Sequence, residues 1–216
     1  DAPTVSSAIA DASNAEDAAY SLDISSVFAD MDVGDTLSYS ISGAPSTITH
    51  TSGTISGTPV NADVGTHTIV VTATDGTASV TDTYDLTVTN TNDAPTVANA
   101  ISDASNAEDA AYSLDISSVF ADVDVSDTLS YSISGAPSTI THTSGTISGT
   151  PVNADVGTHT IVVTATDGTA SVTDTYDLTV TNTNDAPTVA SAISDASSAE
   201  DAAYSLDISS VFTDMD

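Results

Sequence analysis

Residues 1–92 and 93–184 are two copies of one sequence, differing at Ser6/Ala98, Ser7/Asn99, Ala10/Ser102, Met31/Val123 and Gly34/Ser126. Residues 185–216 begin the same unit a third time and stop at Asp216. This period constrains the fold more than any single motif. It is too long for one turn of a solenoid, whose units run about 20–45 residues, and right for a small domain with its own core. The expected organisation is a repeat over 1–92, a repeat over 93–184 and the truncated start of a third over 185–216, as a piece of a longer array. The copies meet at Thr89-Asn90-Thr91-Asn92-Asp93-Ala94-Pro95-Thr96, which recurs at 181–188. Asp1-Ala2-Pro3-Thr4 is its second half.

Within each copy the apolar residues have period two. Tyr20, Leu22 and Ile24 alternate with Ser21 and Asp23; Leu37, Tyr39 and Ile41 with Ser38 and Ser40. Ile69, Val71 and Ala73, and then Tyr84, Leu86 and Val88, repeat the alternation. Such a pattern buries one face of an antiparallel strand. Shorter strands are expected around Val5, Ile48 and Ile55. Turn signals at Gly43-Ala44-Pro45, Ser52-Gly53, Gly57-Thr58-Pro59 and Asp75-Gly76 separate the runs. About seven short strands per copy predict an all-β chain of tandem immunoglobulin-like antiparallel sandwiches. Val80, Asp82 and Tyr84 share parity, which aims Asp82 inward and predicts a bulge or a strand entry there.

The chain has no Lys, Arg or Cys, against 31 Asp and Glu. Only four His could neutralise phosphate, which excludes nucleic acid and anionic membrane surfaces as partners. The lack of Cys excludes disulfides and thiolate metal sites. No apolar run is long enough for a membrane span. Apolar residues make up 39% of the chain and fall in a regular pattern, which argues against an acidic disordered chain.

The informative acids gather where strands end. Asp30, Asp32 and Asp35 precede Leu37; Asp75 closes the run from Thr66; Glu16-Asp17 precedes Tyr20; Asp63 follows Pro59. Glu occurs only at 16, 108 and 200, the same place in each copy. Packed carboxylates repel by about 1 kcal/mol or more per pair near a surface. A hard divalent cation with oxygen ligands can balance them, and calcium tolerates irregular geometry. Asp and Asn are also ordinary turn residues, so turn chemistry alone is the alternative. The EF-hand pattern fails, because its fifth position is Gly34 and no Glu follows at the right distance.

The run Phe28-x-Asp30-x-Asp32-x-x-Asp35-x-Leu37-x-Tyr39, the segment Gly53-Thr54-Ile55-Ser56-Gly57-Thr58-Pro59, and Asn90-x-Asn92-Asp93-Ala94-Pro95 resemble the cadherin repeat. More closely, they are similar to the dystroglycan-type cadherin-like repeats of large bacterial surface adhesins. The resemblance covers the whole repeat and implies calcium held between successive domains. By it, Glu16, Asn61, Asp63, Asn90, Asn92 and Asp93 join Asp122, Asp124 and Asp167 as ligands at the first joint, with Asp127 beside them. Glu108, Asn153, Asp155, Asn182, Asn184, Asp185, Asp214 and Asp216 repeat the set at the second. Asp1, Asp30, Asp32, Asp35 and Asp75 are its counterpart in the first copy. Asn90 and Asn61 stand where cadherins have acids, and the Asn expected after Asp93 is missing. Fewer charges imply fewer ions or weaker binding.

No catalytic residues are expected. His50 and His67 lie in Thr-rich strands without a nucleophile motif, and the paired carboxylates all fall in repeated, metal-like clusters. The functional expectation is a calcium-rigidified extender segment of a large extracellular or cell-surface bacterial adhesin, whose partners are its neighbouring repeats. The alternative is an adhesion module making homophilic contacts or binding surface polysaccharide. The chain lacks Trp, and Tyr20, Tyr39 and Tyr84 have inward parity, which favours the extender. Residues 1–92 expressed alone should give a β-type far-ultraviolet spectrum, whereas 185–216 alone should give that of an unfolded peptide. Substantial helix in the first would refute the fold reading.

Overall fold

The computed structural model describes residues 1–32, 34 and 36–215. The first repeat has strands β1 (Thr4–Val5), β2 (Ala12–Ala15), β3 (Tyr20–Asp23), β4 (Phe28–Ala29), β5 (Ser38–Ser42), β6 (Ile48–Thr51), β7 (Thr54–Gly57), β8 (Gly65–Thr74) and β9 (Ser79–Thr89). They form a four-stranded sheet in the order β2-β9-β8-β5, a three-stranded sheet in the order β3-β7-β6, and a two-stranded β1-β4 pair. Strand β2 runs parallel to β9, and the other pairs are antiparallel. Seven strands in two facing sheets are the sandwich that the alternation predicts. The β1-β4 pair is additional.

The β8–β9 ribbon carries the fold. Its register runs unbroken from Gly65 opposite Val88 to Thr74 opposite Ser79. The Asp75 side chain makes the turn: its Oδ1 accepts N–H bonds from Thr77 at 2.6 Å and Ala78 at 2.7 Å. These bonds, Ala78's first, hold its carboxyl below the usual aspartate range. Gly76 occupies the left-handed region at φ 96°, where a side chain is costly. Ile69, Val71 and Ala73 from β8 and Tyr84, Leu86 and Val88 from β9 are buried on one face, against Ile24, Ile48 and Ile55. Each buried Ile, Val or Leu among them contributes roughly 1.5–3 kcal/mol by leaving water. Leu37, Tyr39 and Ile41 are only half-buried, because β5 is the edge of its sheet. At Gly57 the sheet comes so close to β6 that a Cβ would lie 1.9 Å from the Thr47 carbonyl oxygen.

Of the bulge or strand entry expected near Asp82, the bulge is absent and the strand entry lies close by, at Ser79. Asp82 pairs regularly opposite Val71. It shares the inward parity of Tyr84 near the β8–β9 turn, where its Oδ2 accepts the Ile9 N–H at 2.7 Å. The carboxylate thus takes the place of a missing strand partner for the segment that covers this end of the core.

The second repeat has the same sheets 92 residues on, over a core that includes Ile116, Ile147, Ile161, Val163, Tyr176 and Leu178. Of the third, Thr188–Val189 pairs with Phe212–Thr213. Ile208 is 51% exposed, whereas its counterpart Ile24 is fully buried. By their contacts the residues form two compact units, one of 1–93 with 123–125 and one of 94–122 with 126–216. Among the described residues no helix is long and apolar enough to cross a membrane.

Denaturant unfolding of the full chain should show Ile55→Ala lowering first-repeat stability by about 2–5 kcal/mol. Asp82→Ala should cost about 1–3 kcal/mol by stranding the Ile9 N–H. The exposed Ser40→Ala should stay within about 0.5 kcal/mol.

Candidate metal centre

Glu16 follows directly on β2, at the end of the sheet where β9 runs out. Its backbone N–H bonds the Thr89 carbonyl at 3.0 Å, and its Oε1 accepts the Thr91 N–H at 2.8 Å. The side chain is 1% exposed. Its Oε2 is buried and accepts no hydrogen bond. Ionised carboxylates are rarely buried this deeply unless paired, since leaving water costs several kcal/mol.

Beside it the backbone turns sharply. Asp17 adopts a left-handed φ of 57°, and its N–H bonds the Pro59 carbonyl at 2.8 Å. The Asn14 amide closes this turn by donating to the Ala15 and Ala18 carbonyls. Carboxylate oxygens of Glu16, Asp17 and Asp93 lie within 4.8 Å of one another. Three acids at this spacing, with no basic side chain in the chain, form a donor set suited to a hard cation. Non-glycine residues in this backbone region are uncommon and concentrate at functional positions.

A second trio, Asp122, Asp124 and Asp127, comes from the single loop after Phe120–Ala121, with oxygens within the same 4.8 Å. Asp124 is buried, at 2% exposure. Its Oδ1 accepts from the Asn61 amide at 2.7 Å and its Oδ2 from the Asp93 N–H at 2.8 Å. Asn61, Asp93 and Asp124 belong, with Glu16 and Asp17, to the first compact unit.

Several expected ligands are engaged otherwise. The Asp63 Oδ2 accepts from the Thr47 hydroxyl at 2.6 Å and the Val60 N–H at 3.1 Å, closing the 3-10 turn Asn61–Asp63. The structure brings it into neither trio. Asp155 does the same for Asn153–Asp155, where first the Thr139 hydroxyl and then the Val152 N–H hold its carboxyl below the usual range. Asn92 and Asn184 donate to the carbonyls of Asp93 and Asp185, as linker turns do. Asn90 and Asn182 are exposed and in neither trio. Asp167, like Asp75, caps its own Asp-Gly turn. Asp1, Asp32 and Asp75 line one cavity of about 380 Å³, where the Asp1 amino group pairs with Asp32. Asp30 Oδ1 accepts the Asp32 N–H at 2.9 Å. Glu108 repeats Glu16: it is buried, its Oε1 accepts the Thr183 N–H at 2.8 Å, and its Oε2 accepts no hydrogen bond. Asp185 is half-buried and Asp214 exposed. Asp35 and Asp216 lie outside the described residues.

The candidate ligands drawn from the sequence omitted Asp17. Its signal was adjacency to Glu16, but adjacent residues point the same way only when the backbone turns, as it does here. His50 and His67 have structural roles. The Gly53 N–H donates to His50 Nε2 at 3.2 Å, and His67 Nε2 lies 2.7 Å from the Asp63 carbonyl oxygen.

The family model described as "Putative Ig domain" matches residues 2–89 and again 94–181. No curated protein matches the chain. Among solved structures, "Protocadherin Gamma B2 extracellular cadherin domains 1-5" is similar at 20% identity over 89% of this chain and 43% of its own, with a TM-score of 0.51. "PcdhgB3 EC1-4" is similar at 17% identity over 86% and 52%, with the same TM-score. These likenesses support the fold alone. An endo-fucoidan hydrolase from glycoside hydrolase family 107 aligns at 24% identity and a TM-score of 0.41; the chain spans 29% of that enzyme.

Glu16→Gln removes one buried charge and keeps the shape. At about 4 Å a carboxylate pair repels by roughly 1–4 kcal/mol, depending on solvent access. The variant should therefore melt higher than the parent in EDTA and gain little from added calcium. A lower melting point in EDTA with an unchanged calcium response would exclude Glu16 from a cation site.

Proposed function

The chain belongs to the "Putative Ig domain" family, and from that premise we propose that it is a calcium-binding extender segment of a large extracellular or cell-surface bacterial adhesin. The observation that carries this reading is Glu16: a carboxylate 1% exposed, with an unbonded oxygen, grouped with Asp17 and Asp93 in a chain that has no Lys or Arg. Calcium accepts six to eight oxygens in irregular arrangements. Glu16, Asp17, Asp93 and Asp124 would supply carboxylates, and linker carbonyls and water the rest. The near-identity of the copies suits an element whose length matters more than any one surface. Each ion would convert a set of mutually repelling acids into a tie, so that the array stiffens where calcium is present. The Pro95 ring fixes only its own φ and cannot supply that tie.

Calcium should raise the melting temperature of the full chain by mass action on the native state. Magnesium should do less, because it gives up water reluctantly. Small-angle scattering should report a greater maximum dimension in calcium than in EDTA, and Asp93→Ala should abolish the difference. The reading fails if sodium chloride at equal ionic strength reproduces the calcium effect, which is then only charge screening, or if Asp93→Ala responds to calcium as the parent does.

A further inference from the structure

We infer that Asn61 acts as a neutral clasp, holding Asp124 by protein donors alone, and that it thereby sets how strongly the neighbouring carboxylates draw a divalent cation. The second half of this inference rests on the calcium reading above; the first does not. Asp124 is 2% exposed, yet each of its oxygens has a short bond from an uncharged donor: Asn61 Nδ2 at 2.7 Å and the Asp93 N–H at 2.8 Å. Hydrogen bonds to an ionised acceptor are about twice as strong as neutral ones. A carboxylate has no hydrogen to give, so the atom of Asn61 that faces it is the nitrogen.

The clasp is presented from a rigid support. Asn61 opens the 3-10 turn Asn61–Asp63, in which the Asp63 N–H bonds Val60 O at 2.7 Å and the Val64 N–H bonds Asn61 O at 3.2 Å. The Asp63 carboxylate braces the same turn through Thr47 and Val60. This explains why Asp63 serves the turn while Asn61 reaches Asp124.

An Asn here differs from an Asp in consequence as well as in charge. An Asp at position 61 would remove the donor to Asp124 Oδ1 and set a like charge against it. The Asp93 N–H would remain on Asp124 Oδ2, and a cation would gain more by bridging the two acids. With Asn, Asp124 stays ordered without one, and a cation gains less by binding. Asn61 is therefore a positioning residue that lowers cation affinity in return for order independent of the cation.

The test uses the full chain as parent, Asn61→Asp and Asn61→Ala. In EDTA, the Asn61 side-chain amide protons of the parent should exchange more slowly than those of exposed Asn90, read by nuclear magnetic resonance. Both variants should melt lower than the parent in EDTA, by about 4 °C or more, with Asn61→Asp the lower. In a calcium titration Asn61→Asp should bind about tenfold more tightly than the parent, in line with affinity rising with ligand charge, and calcium should restore its melting point. Asn61→Ala should tighten calcium binding less than Asn61→Asp does. The clasp is overturned if the amide protons exchange as fast as those of Asn90, or if both variants melt with the parent in EDTA. A parent that binds no calcium but passes the EDTA measurements overturns the calcium reading and the affinity half of the inference, and leaves the clasp standing.

Discussion

The pairing of Gly65–Thr74 with Ser79–Thr89 is the interaction on which the rest depends. An unbroken ladder of this length fixes the alternation of both strands, so Ile69, Val71, Ala73, Tyr84, Leu86 and Val88 must share a face. The short strands attach to that ribbon: Ala12–Ala15 in parallel along one side and Ser38–Ser42 along the other. The acidic site hangs from the same ribbon. Glu16 is placed by its bond to Thr89, the last residue of the ribbon, and by the Thr91 N–H just beyond. The core that stabilises the domain therefore also delivers a buried carboxylate to its end.

The electrostatics then follow from composition. A chain with a formal charge of −31 has no internal means of compensating carboxylates that the fold forces together. It uses two substitutes. One is the dipole of neutral donors: backbone N–H groups serve Asp75, Asp82, Asp93's neighbour Asp124, Asp155 and Glu16, and the Thr47, Thr139 and Asn61 side chains add to them. The other, proposed here, is a cation drawn from outside. Asp63 and Asn61 show how finely the two are divided within a single turn, one bracing the backbone and the other reaching a buried acid.

Much of the fold was legible because strand burial has the simplest periodicity in proteins. The alternating runs at Tyr20, Leu37, Ile69 and Tyr84 named their own buried faces. The inward parity of Asp82 leaves a bulge or a strand entry open, and the strand does begin nearby, at Ser79, without a bulge. A bulge is one way to treat an inward acid; a backbone N–H from a segment 73 residues away is another, and nothing local distinguishes them. The acidic clusters were legible from the sequence; which acids lie together was not. Of the named acids, Glu16 and Asp93 fall in one trio and Asp122, Asp124 and Asp127 in the other. Asp17 stands beside Glu16 among the informative acids but not in the ligand set, because its inclusion depends on a left-handed backbone at that residue. Asp63 and Asp155 were named but brace turns, because a hydroxyl 16 residues away in sequence claims each of them.

The sequence by itself determined the repeat, the strand class, the inward residues and the excess of uncompensated acid, since these follow from period, alternation and composition. Which acids meet was decided only by the tertiary structure. That choice depends on long-range contacts: Thr89 with Glu16, Asn61 with Asp124, Thr47 with Asp63. Asp and Asn look alike as turn residues when read along the chain. What each one does is decided only when folding has set a particular donor, or another charge, within hydrogen-bonding distance.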